Sequence, residues 1–147
     1  MVAKKLPDGL IGVGIFLVDV YCLGVKDAFF GSLGAAEYPA TLDRVLHGER
    51  EAMAPACAKK LIEGSVAYAS DFGLTPHRDY RQAKHVLDNI DATECAETFE
   101  FGRDGKPYYV SGPNDSPSKS RALIDRLLRR CGAEGFDYTL GLGPDLE

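Results

Sequence analysis

The feature that most constrains the fold is an apolar stretch, residues 10–18, close to the start of the chain. Its residues are apolar at odd and even positions alike, which is typical of a central β-strand covered on both faces. The Pro-Asp-Gly sequence at 7–9 favours a turn, because proline presets φ and glycine accepts a positive φ. Residues 2–6 and 10–18 are therefore predicted to form a β-hairpin. Gly12 and Gly14 share one face of it, where another element can approach closely.

Helical patterns follow the hairpin. A long helix is predicted over 55–72, with proline in its first turn and glycine after its last residue. A short helix is predicted over 41–46. A third is predicted over 79–87, where Asp79 and Gln82 have the spacing of a capping box.

The C-terminal part of the chain predicts a second hairpin, a helix and a short strand. Residues 98–102 and 107–111 flank an Asp-Gly turn signal, which favours a hairpin. The last helix begins at Ser116 and Pro117, and residues 136–140 form the final strand. The side chains of that helix expected to face the core are Leu123, Ile124, Leu127, Leu128 and Cys131.

The order of these elements predicts an α+β fold, because the strands come in antiparallel pairs instead of alternating singly with helices. We expect a two-layer sandwich: a mostly antiparallel sheet of four to six strands built from two hairpins, with helices mainly on one face. The 147 residues suffice for a single domain, 1–147. The residues after 141 are expected to form a mobile tail.

The charge and the cysteine content restrict the classes of function that the chain can have. Seventeen Lys and Arg against twenty-two Asp and Glu give a net charge of −5, which argues against strong attraction to nucleic acid by overall charge. The cysteines lie far apart, without the close pairs of structural zinc sites; they are Cys22, Cys57, Cys95 and Cys131. No secretory signal precedes them. We therefore expect four reduced, mostly buried thiols in a cytoplasmic protein. Cys22 is the one thiol with a candidate reactive position, although no basic residue is placed to lower its pKa.

Four residues are candidate catalytic groups. Asp19 and Asp27 bracket an apolar strand segment, and His77 and Asp79 lie two residues apart at a predicted helix start. Converging carboxylates are the basis of a two-metal phosphodiester hydrolase, and a His–Asp pair can transfer protons or bind an anion. Each also has a simpler role. Asp79 can cap a helix, and His77 can hydrogen-bond the preceding turn. Asp19 can end a strand, and Asp27 can be solvated. No motif specifies a metal or another cofactor.

The last predicted helix is basic. Arg126, Arg129 and Arg130 lie on it, near an exposed Tyr108 or Tyr109. Such a surface can contact RNA or an acidic partner weakly. The alternative is structural, because Arg129 and Arg130 at a helix C-terminus favourably oppose the helix dipole.

Three segments together resemble a group of bacterial proteins without an assigned activity: LVDVYCLGVKDAF at 17–29, FGLTPHRDY at 72–80 and FEFGRDGKPYYVSGP at 99–113. The resemblance covers about residues 2–140 and implies that the segments belong to one folded unit. It implies no substrate, cofactor or catalytic residue. In those relatives a further strand precedes the first hairpin, so the chain looks short at its start and an open sheet edge is expected.

The leading prediction is therefore a small cytoplasmic bacterial module for binding or assembly, which forms a homo-oligomer or binds a protein partner through a sheet edge by strand addition. One alternative is a metal-dependent hydrolase acting on phosphodiesters through Asp19, Asp27, His77 and Asp79. Another is an RNA-associated accessory protein.

Overall fold

A computed structural model describes residues 1–141; the predicted mobile tail lies outside the described residues. The first predicted hairpin is confirmed. Strands β1 (Val2–Lys5) and β2 (Ile11–Asp19) pair antiparallel, and β3 (Gly24–Leu33) pairs antiparallel with the other side of β2. The apolar strand β2 is therefore central in a three-stranded sheet of order β1-β2-β3.

The helices occur where the sequence predicts them, with one change of type. They are α1 (Tyr38–Val45), α2 (Pro55–Asp71), α3 (Tyr80–Ala83) and α4 (Pro117–Cys131). The predicted helix over 79–87 is α only in α3, after which the chain tightens into a 3-10 helix, Lys84–Leu87. A further 3-10 turn spans Ala92–Glu94. Within residues 1–141 the structure has no helix that is long and apolar enough to cross a membrane.

The second predicted hairpin is wrong, although its turn forms. Arg103 and Lys106 make an isolated antiparallel bridge through both backbone hydrogen bonds. Residues 98–102, however, are irregular and do not pair with 107–111.

The reason is that the backbone donors on both sides of this turn bond elsewhere. The Gly102 N–H donates to the Val20 carbonyl, and the Tyr108 N–H donates to the Tyr21 carbonyl. Both acceptors belong to the turn between β2 and β3. The segment is therefore anchored to the end of the main sheet by a long-range contact that local turn chemistry cannot indicate.

Strand β4 (Tyr108–Val110) pairs instead with β5 (Asp137–Thr139), and the two run parallel. They form a separate two-stranded sheet. The architecture is α+β as predicted. The strands of the described chain, however, form two sheets of three and two strands, and one of the two predicted hairpins does not form.

Helices cover one face of the main sheet, as expected. Gly14 permits this, because a Cβ atom there would lie 2.6 Å from Cγ1 of Val86 in the 3-10 helix after α3. Two positions further along β2, on the same face, Phe16 meets Tyr80 of α3 edge to face, with ring centroids 6.2 Å apart. Tyr80 and Ile62 of α2 are buried in the same apolar cluster, and Phe16 packs against that cluster.

Helix α4 closes a second core beneath the two-stranded sheet. Its Leu127 is 0% exposed and packs in one cluster with Cys22, Tyr109 and Phe136. The prediction that Leu128 also faces the core is wrong, since its side chain is 46% exposed. Successive helical residues point about 100° apart, so Leu127 and Leu128 cannot both lie at the centre of the buried stripe.

The prediction of four free thiols is also wrong. Cys57, in the first turn of α2, forms a disulfide with Cys95, and their Cα atoms are 5.0 Å apart. Cys22 and Cys131 are free thiols. Sequence spacing excludes close zinc-type pairs but says nothing about two cysteines 38 residues apart that the fold brings together.

We expect Leu127→Asp to destabilise the protein by at least about 4 kcal/mol, because it removes buried apolar contacts and places an unpaired charge in the core. Leu128→Asp is the matched control and should change the free energy of unfolding by less than about 1 kcal/mol. Urea denaturation followed by circular dichroism measures both. Equal effects of the two substitutions would contradict the assigned orientation of α4.

We expect thiol titration of the unfolded protein to detect the two free cysteines without reductant and all four after reduction. A disulfide that closes a loop of 38 residues stabilises the folded state by about 4 kcal/mol in the chain-entropy relation. The Cys57→Ser/Cys95→Ser double variant should lose much of that stability, whereas Cys131→Ser should not. Four titratable thiols without reductant would show that the bond does not form.

Candidate functional site

Three of the four candidate catalytic residues come together at the edge of β3. The His77 Nε2 atom lies 3.8 Å from Oδ1 of Asp27, and the His77 Nδ1 atom lies 3.7 Å from Oδ2 of Asp79. Asp27 is on β3, whereas the other two belong to the segment that leads into α3. The His77 N–H donates to the Val25 carbonyl at 2.9 Å, which fixes this segment beside the strand.

The hydrogen bonds of His77 determine what this cluster can do. Its Nδ1 atom accepts the backbone N–H of Asp79 at 3.2 Å, so the neutral ring carries its proton on Nε2, facing Asp27. Oδ1 of Asp27 also accepts the Ala28 N–H at 2.8 Å. The acceptor nitrogen of the neutral ring is therefore engaged by the backbone, while Nε2 lies 3.8 Å from the Asp27 carboxylate, beyond hydrogen-bond distance. The arrangement suits an anchor for the segment better than a base that activates a nucleophile.

The predicted capping box is wrong. Within residues 1–141 the Asp79 carboxylate makes no capping hydrogen bond at α3, and the imidazole of His77 accepts the Asp79 N–H instead. A histidine nitrogen thus accepts the amide of Asp79, which the capping box assigns to the side chain of Gln82.

Asp19, the fourth candidate, does not join this cluster. Its carboxylate accepts the backbone N–H groups of Tyr21 at 2.9 Å and Leu23 at 3.0 Å, and so shapes the turn between β2 and β3. Throughout the part of the chain that the structure describes, no group of three or more His, Cys, Asp or Glu side chains is arranged to hold a metal ion. The residues predicted for a two-metal site are therefore divided between a turn and a strand edge.

Cys22 has the environment of an inert thiol. It is fully buried beneath α4, and burial, reinforced by nearby Asp19 and Cys131, raises the pKa of its thiol to about 12. A thiol with such a pKa is protonated at neutral pH and is a poor nucleophile.

Two of the three arginines predicted to contact RNA serve the fold. Arg126 donates to the Gly73 carbonyl and Arg130 to the Asp71 carbonyl, each at 2.9 Å. These carbonyls lie at the C-terminal end of α2 and just beyond it, where helix carbonyls lack partners. The two side chains thus join α4 to α2, while Arg129 is exposed. Of the two tyrosines predicted as candidates for exposure, Tyr109 is fully buried and Tyr108 is half-buried.

Sequence reasoning missed a polar network at the start of α4. The hydroxyl of Tyr109 donates to Oδ2 of Asp115 at 3.0 Å and lies 2.9 Å from the Ser120 hydroxyl. Asp115 also accepts the Gly112 N–H at 2.8 Å and pairs with Lys119 at 2.9 Å. The signal was the density of small polar residues over 111–120, which is typical of side chains that bond to backbone.

This network sets the charge state of Asp115. Burial acts to raise the pKa of its carboxyl, but the Gly112 N–H, the Lys119 ammonium and the Tyr109 hydroxyl outweigh burial and hold that pKa below its ordinary value. A carboxyl with a lowered pKa in the folded state contributes stability above its unfolded pKa. That stability is lost as the pH falls through the folded pKa.

The other face of the main sheet, which we call the outer face, is apolar and largely open. Its β2 residues alternate with those that face the helices, and Phe29 of β3 lies opposite Ile15. Leu17 is 58% exposed and Phe29 is 59% exposed. Phe29 leans across Gly31, at 3.1 Å from the place of a Cβ atom, and Val13 opposite Gly31 is buried.

The edge of β3 beside the outer face is unpaired over its second half. Because the Ala28 N–H bonds to the Asp27 side chain, Ala28 points its amide away from β2. The two-residue period of an antiparallel ladder places the amides of Phe30 and Ser32 on that same free side. Neither forms a backbone hydrogen bond outside the β2–β3 ladder in the described chain.

We expect Asp115→Asn to lower the free energy of unfolding by about 1–3 kcal/mol at neutral pH, since it removes bonds to a charged group. The difference from the unmodified protein should shrink between pH ~5 and ~2, as the native carboxyl becomes protonated. Denaturation at several pH values measures this. Asp125→Asn, an exposed position on the same helix, should show little effect at any pH. A pH-independent loss for Asp115→Asn would contradict the lowered pKa.

Comparison of the chain with protein-family models, with curated proteins and with solved structures found no match.

Proposed function

We propose that this chain is an assembly module that pairs with a second copy of itself through the free edge of β3 and the outer face of the main sheet. The observation that supports this most is the juxtaposition of two features. Leu17 and Phe29 are more than half exposed on that face, and within residues 1–141 the amides of Phe30 and Ser32 have no partner on the adjoining edge.

Of the two edges of the main sheet, the β3 edge is the more favourable for strand addition. Strand β1, at the other side of the sheet, carries Lys4 and Lys5, and edge lysines oppose strand addition. The first part of β3 is covered by the segment around His77, and Asp27 caps the Ala28 amide. Strand addition is therefore restricted to the second half of β3.

A second copy suits this edge because an antiparallel pair of β3 strands satisfies a two-fold axis. Centred on Gly31, such a pair sets Phe30 of one copy opposite Ser32 of the other, and each exchanges both backbone hydrogen bonds. The two sheets then form one continuous sheet. Phe29 of each copy then lies opposite Leu33 of the other, so these two apolar side chains meet across the pair.

The energetics predict a moderate affinity. Covering the exposed part of Phe29 against the partner strand contributes about 1–2 kcal/mol for each copy, or about 2–4 kcal/mol over two copies. Association costs about 4–15 kcal/mol in lost motional freedom. The apolar gain alone therefore does not ensure binding, and the hydrogen bonds of the edge are needed. We expect dimerisation at micromolar concentrations.

We expect sedimentation velocity to find a dimer that dissociates on dilution. Ser32→Pro should yield a monomer at concentrations where the unmodified chain is dimeric, because proline removes the edge amide without touching the bonds to β2. Phe29→Asp should weaken the dimer at least about tenfold through loss of apolar contact and charge repulsion. Leu128→Asp, which alters an exposed leucine of α4, is the control and should leave the dimer intact.

A chain that stays monomeric at all concentrations would refute the proposal. A dimer that survives both Ser32→Pro and Phe29→Asp would refute the assigned interface.

The remaining sequence-based predictions are untested. The proximity of Asp27, His77 and Asp79 favours the hydrolase hypothesis. Against it, the acceptor nitrogen of His77 is already hydrogen-bonded, and Asp19 lies in a turn outside the cluster. The RNA hypothesis is weakened because Arg126 and Arg130 donate hydrogen bonds to backbone carbonyls within the fold. A cytoplasmic location, and a bacterial origin, stay predictions. The Cys57–Cys95 disulfide counts against the cytoplasm, where such bonds are rare.

A further inference from the structure

The sequence contains two Asp-Gly dipeptides, at 8–9 and 104–105, and both are exposed in turns. An aspartate followed by glycine can close a ring onto the main chain, because glycine has no Cβ atom to obstruct its own amide nitrogen. The ring then opens to aspartate or to isoaspartate. Since the dipeptide is the same at both places, any difference in its reactivity in the folded protein comes from the surroundings of each turn.

The first dipeptide is fixed at both of the groups that would react. The Gly9 N–H donates to the Leu6 carbonyl at 3.0 Å. Oδ1 of Asp8 accepts the Leu10 N–H, also at 3.0 Å, which is an Asx turn. The turn joins β1 and β2, whose ladder begins beside it. The amide nitrogen and the carboxyl group of this dipeptide can therefore meet only after several hydrogen bonds break.

The second dipeptide is fixed at neither group. Within residues 1–141 the Gly105 amide donates no hydrogen bond, and the Asp104 carboxylate accepts none and forms no ion pair. The turn is closed by the two hydrogen bonds between Arg103 and Lys106, at 2.7 and 3.1 Å, which form an isolated bridge. Opening this turn breaks that bridge and does not require a ladder to separate.

The backbone of the second turn also strains its aspartate. Asp104 has a φ of 53°, in the left-handed region where the Cβ atom of an L-residue is crowded. Gly105 follows with a φ of 77°, which glycine adopts freely. Two successive positive φ values are those of a type I′ turn. The crowding at Asp104 ends once the main chain runs through its Cβ atom, as it does in isoaspartate.

We propose that Asp104 is a site of spontaneous isomerisation to isoaspartate and that the fold protects Asp8 from the same reaction. The Gly105 nitrogen attacks Cγ of the protonated carboxyl group. The N–Cγ bond forms, the bond from Cγ to the hydroxyl oxygen breaks, and the hydroxyl leaves as water with the amide proton. A second water opens the cyclic imide. Opening at the former main-chain carbonyl gives isoaspartate, and opening at Cγ restores aspartate, so the reaction needs water alone.

Isomerisation changes the turn but leaves its anchors in place. It lengthens the main chain by one carbon atom, so the two hydrogen bonds between Arg103 and Lys106 can no longer both form. The Arg103 guanidinium, now 3.6 Å from the centre of the Tyr108 ring, loses its fixed position. The amides of Gly102 and Tyr108, on either side of the turn, remain bonded to the end of the main sheet.

The test is incubation of the full folded chain in mildly acidic water labelled with heavy oxygen, followed by digestion and mass spectrometry. Each ring opening adds one solvent oxygen atom to the residue, and isoaspartate resists the endoprotease that cleaves before aspartate. We expect labelling at Asp104 to be at least about tenfold faster than at Asp8, because the hydrogen bonds that hold Asp8 and Gly9 must first break. In urea, where both turns are open, the two rates should become similar.

A matched pair of variants tests the same difference with a faster reaction. Asp104→Asn and Asp8→Asn close the same ring but release ammonia, which converts the amide to an acid of higher mass. Asn-Gly suits a type I′ turn, and an asparagine at position 8 can still accept the Leu10 N–H. We expect conversion at position 104 to be at least about tenfold faster than at position 8. Far-ultraviolet circular dichroism checks that both variants are folded.

Equal labelling of Asp104 and Asp8 in the folded chain, or faster labelling of Asp8, would overturn the proposal. So would the absence of isoaspartate at position 104 after labelling there. A rate difference that persists unchanged in urea would show that neighbouring residues in the sequence, and not the fold, control the reaction. That result would overturn the protective role assigned to the hydrogen bonds of the first turn.

Discussion

The contact of Val86 with the bare backbone at Gly14 is the one on which the arrangement of the molecule depends. Without a Cβ atom at Gly14, the 3-10 helix after α3 lies directly on the central strand. That position draws the preceding segment alongside β3, where the His77 amide bonds to Val25. The covered part of the β3 edge, and hence the free part that follows it, is a consequence of this close approach.

The central strand explains why the sheet keeps apolar surface that the described chain does not cover. Its apolar residues alternate between two faces, and a strand apolar on both faces is expected to be covered twice. The described chain supplies helices for one face only, and α1 covers part of that face loosely. The outer face and a cavity between α1, α2 and the sheet are thus two places where the sequence provides apolar surface that the described chain does not cover.

Local patterns predicted the elements whose signals lie within a few residues. The hairpin around 7–9, the start of α2 at a proline and the start of α4 at Ser116 all formed, and the Ser116 hydroxyl caps α4 by accepting the Lys119 N–H. The errors concern partners distant in sequence. The Tyr108 N–H donates to the Tyr21 carbonyl, and β4 pairs with β5, because tertiary contacts decide which backbone groups meet. The candidate site was predicted only in part, for the same reason. The sequence spacing indicated that His77 lies near Asp79, whereas the fold brings Asp27 to His77.

The disulfide gives the helical layer a closed covalent path. The chain from Cys57 to Cys95 contains nearly all of α2, then α3 and the 3-10 helix that rests on Gly14, and the bond joins its two ends. β1, β2 and β3 precede this ring, and α4 follows it. A single cut by a protease within the ring therefore releases no fragment while the bond is intact. The layer that organises the sheet stays one covalent piece after a break that would divide an unbridged chain in two.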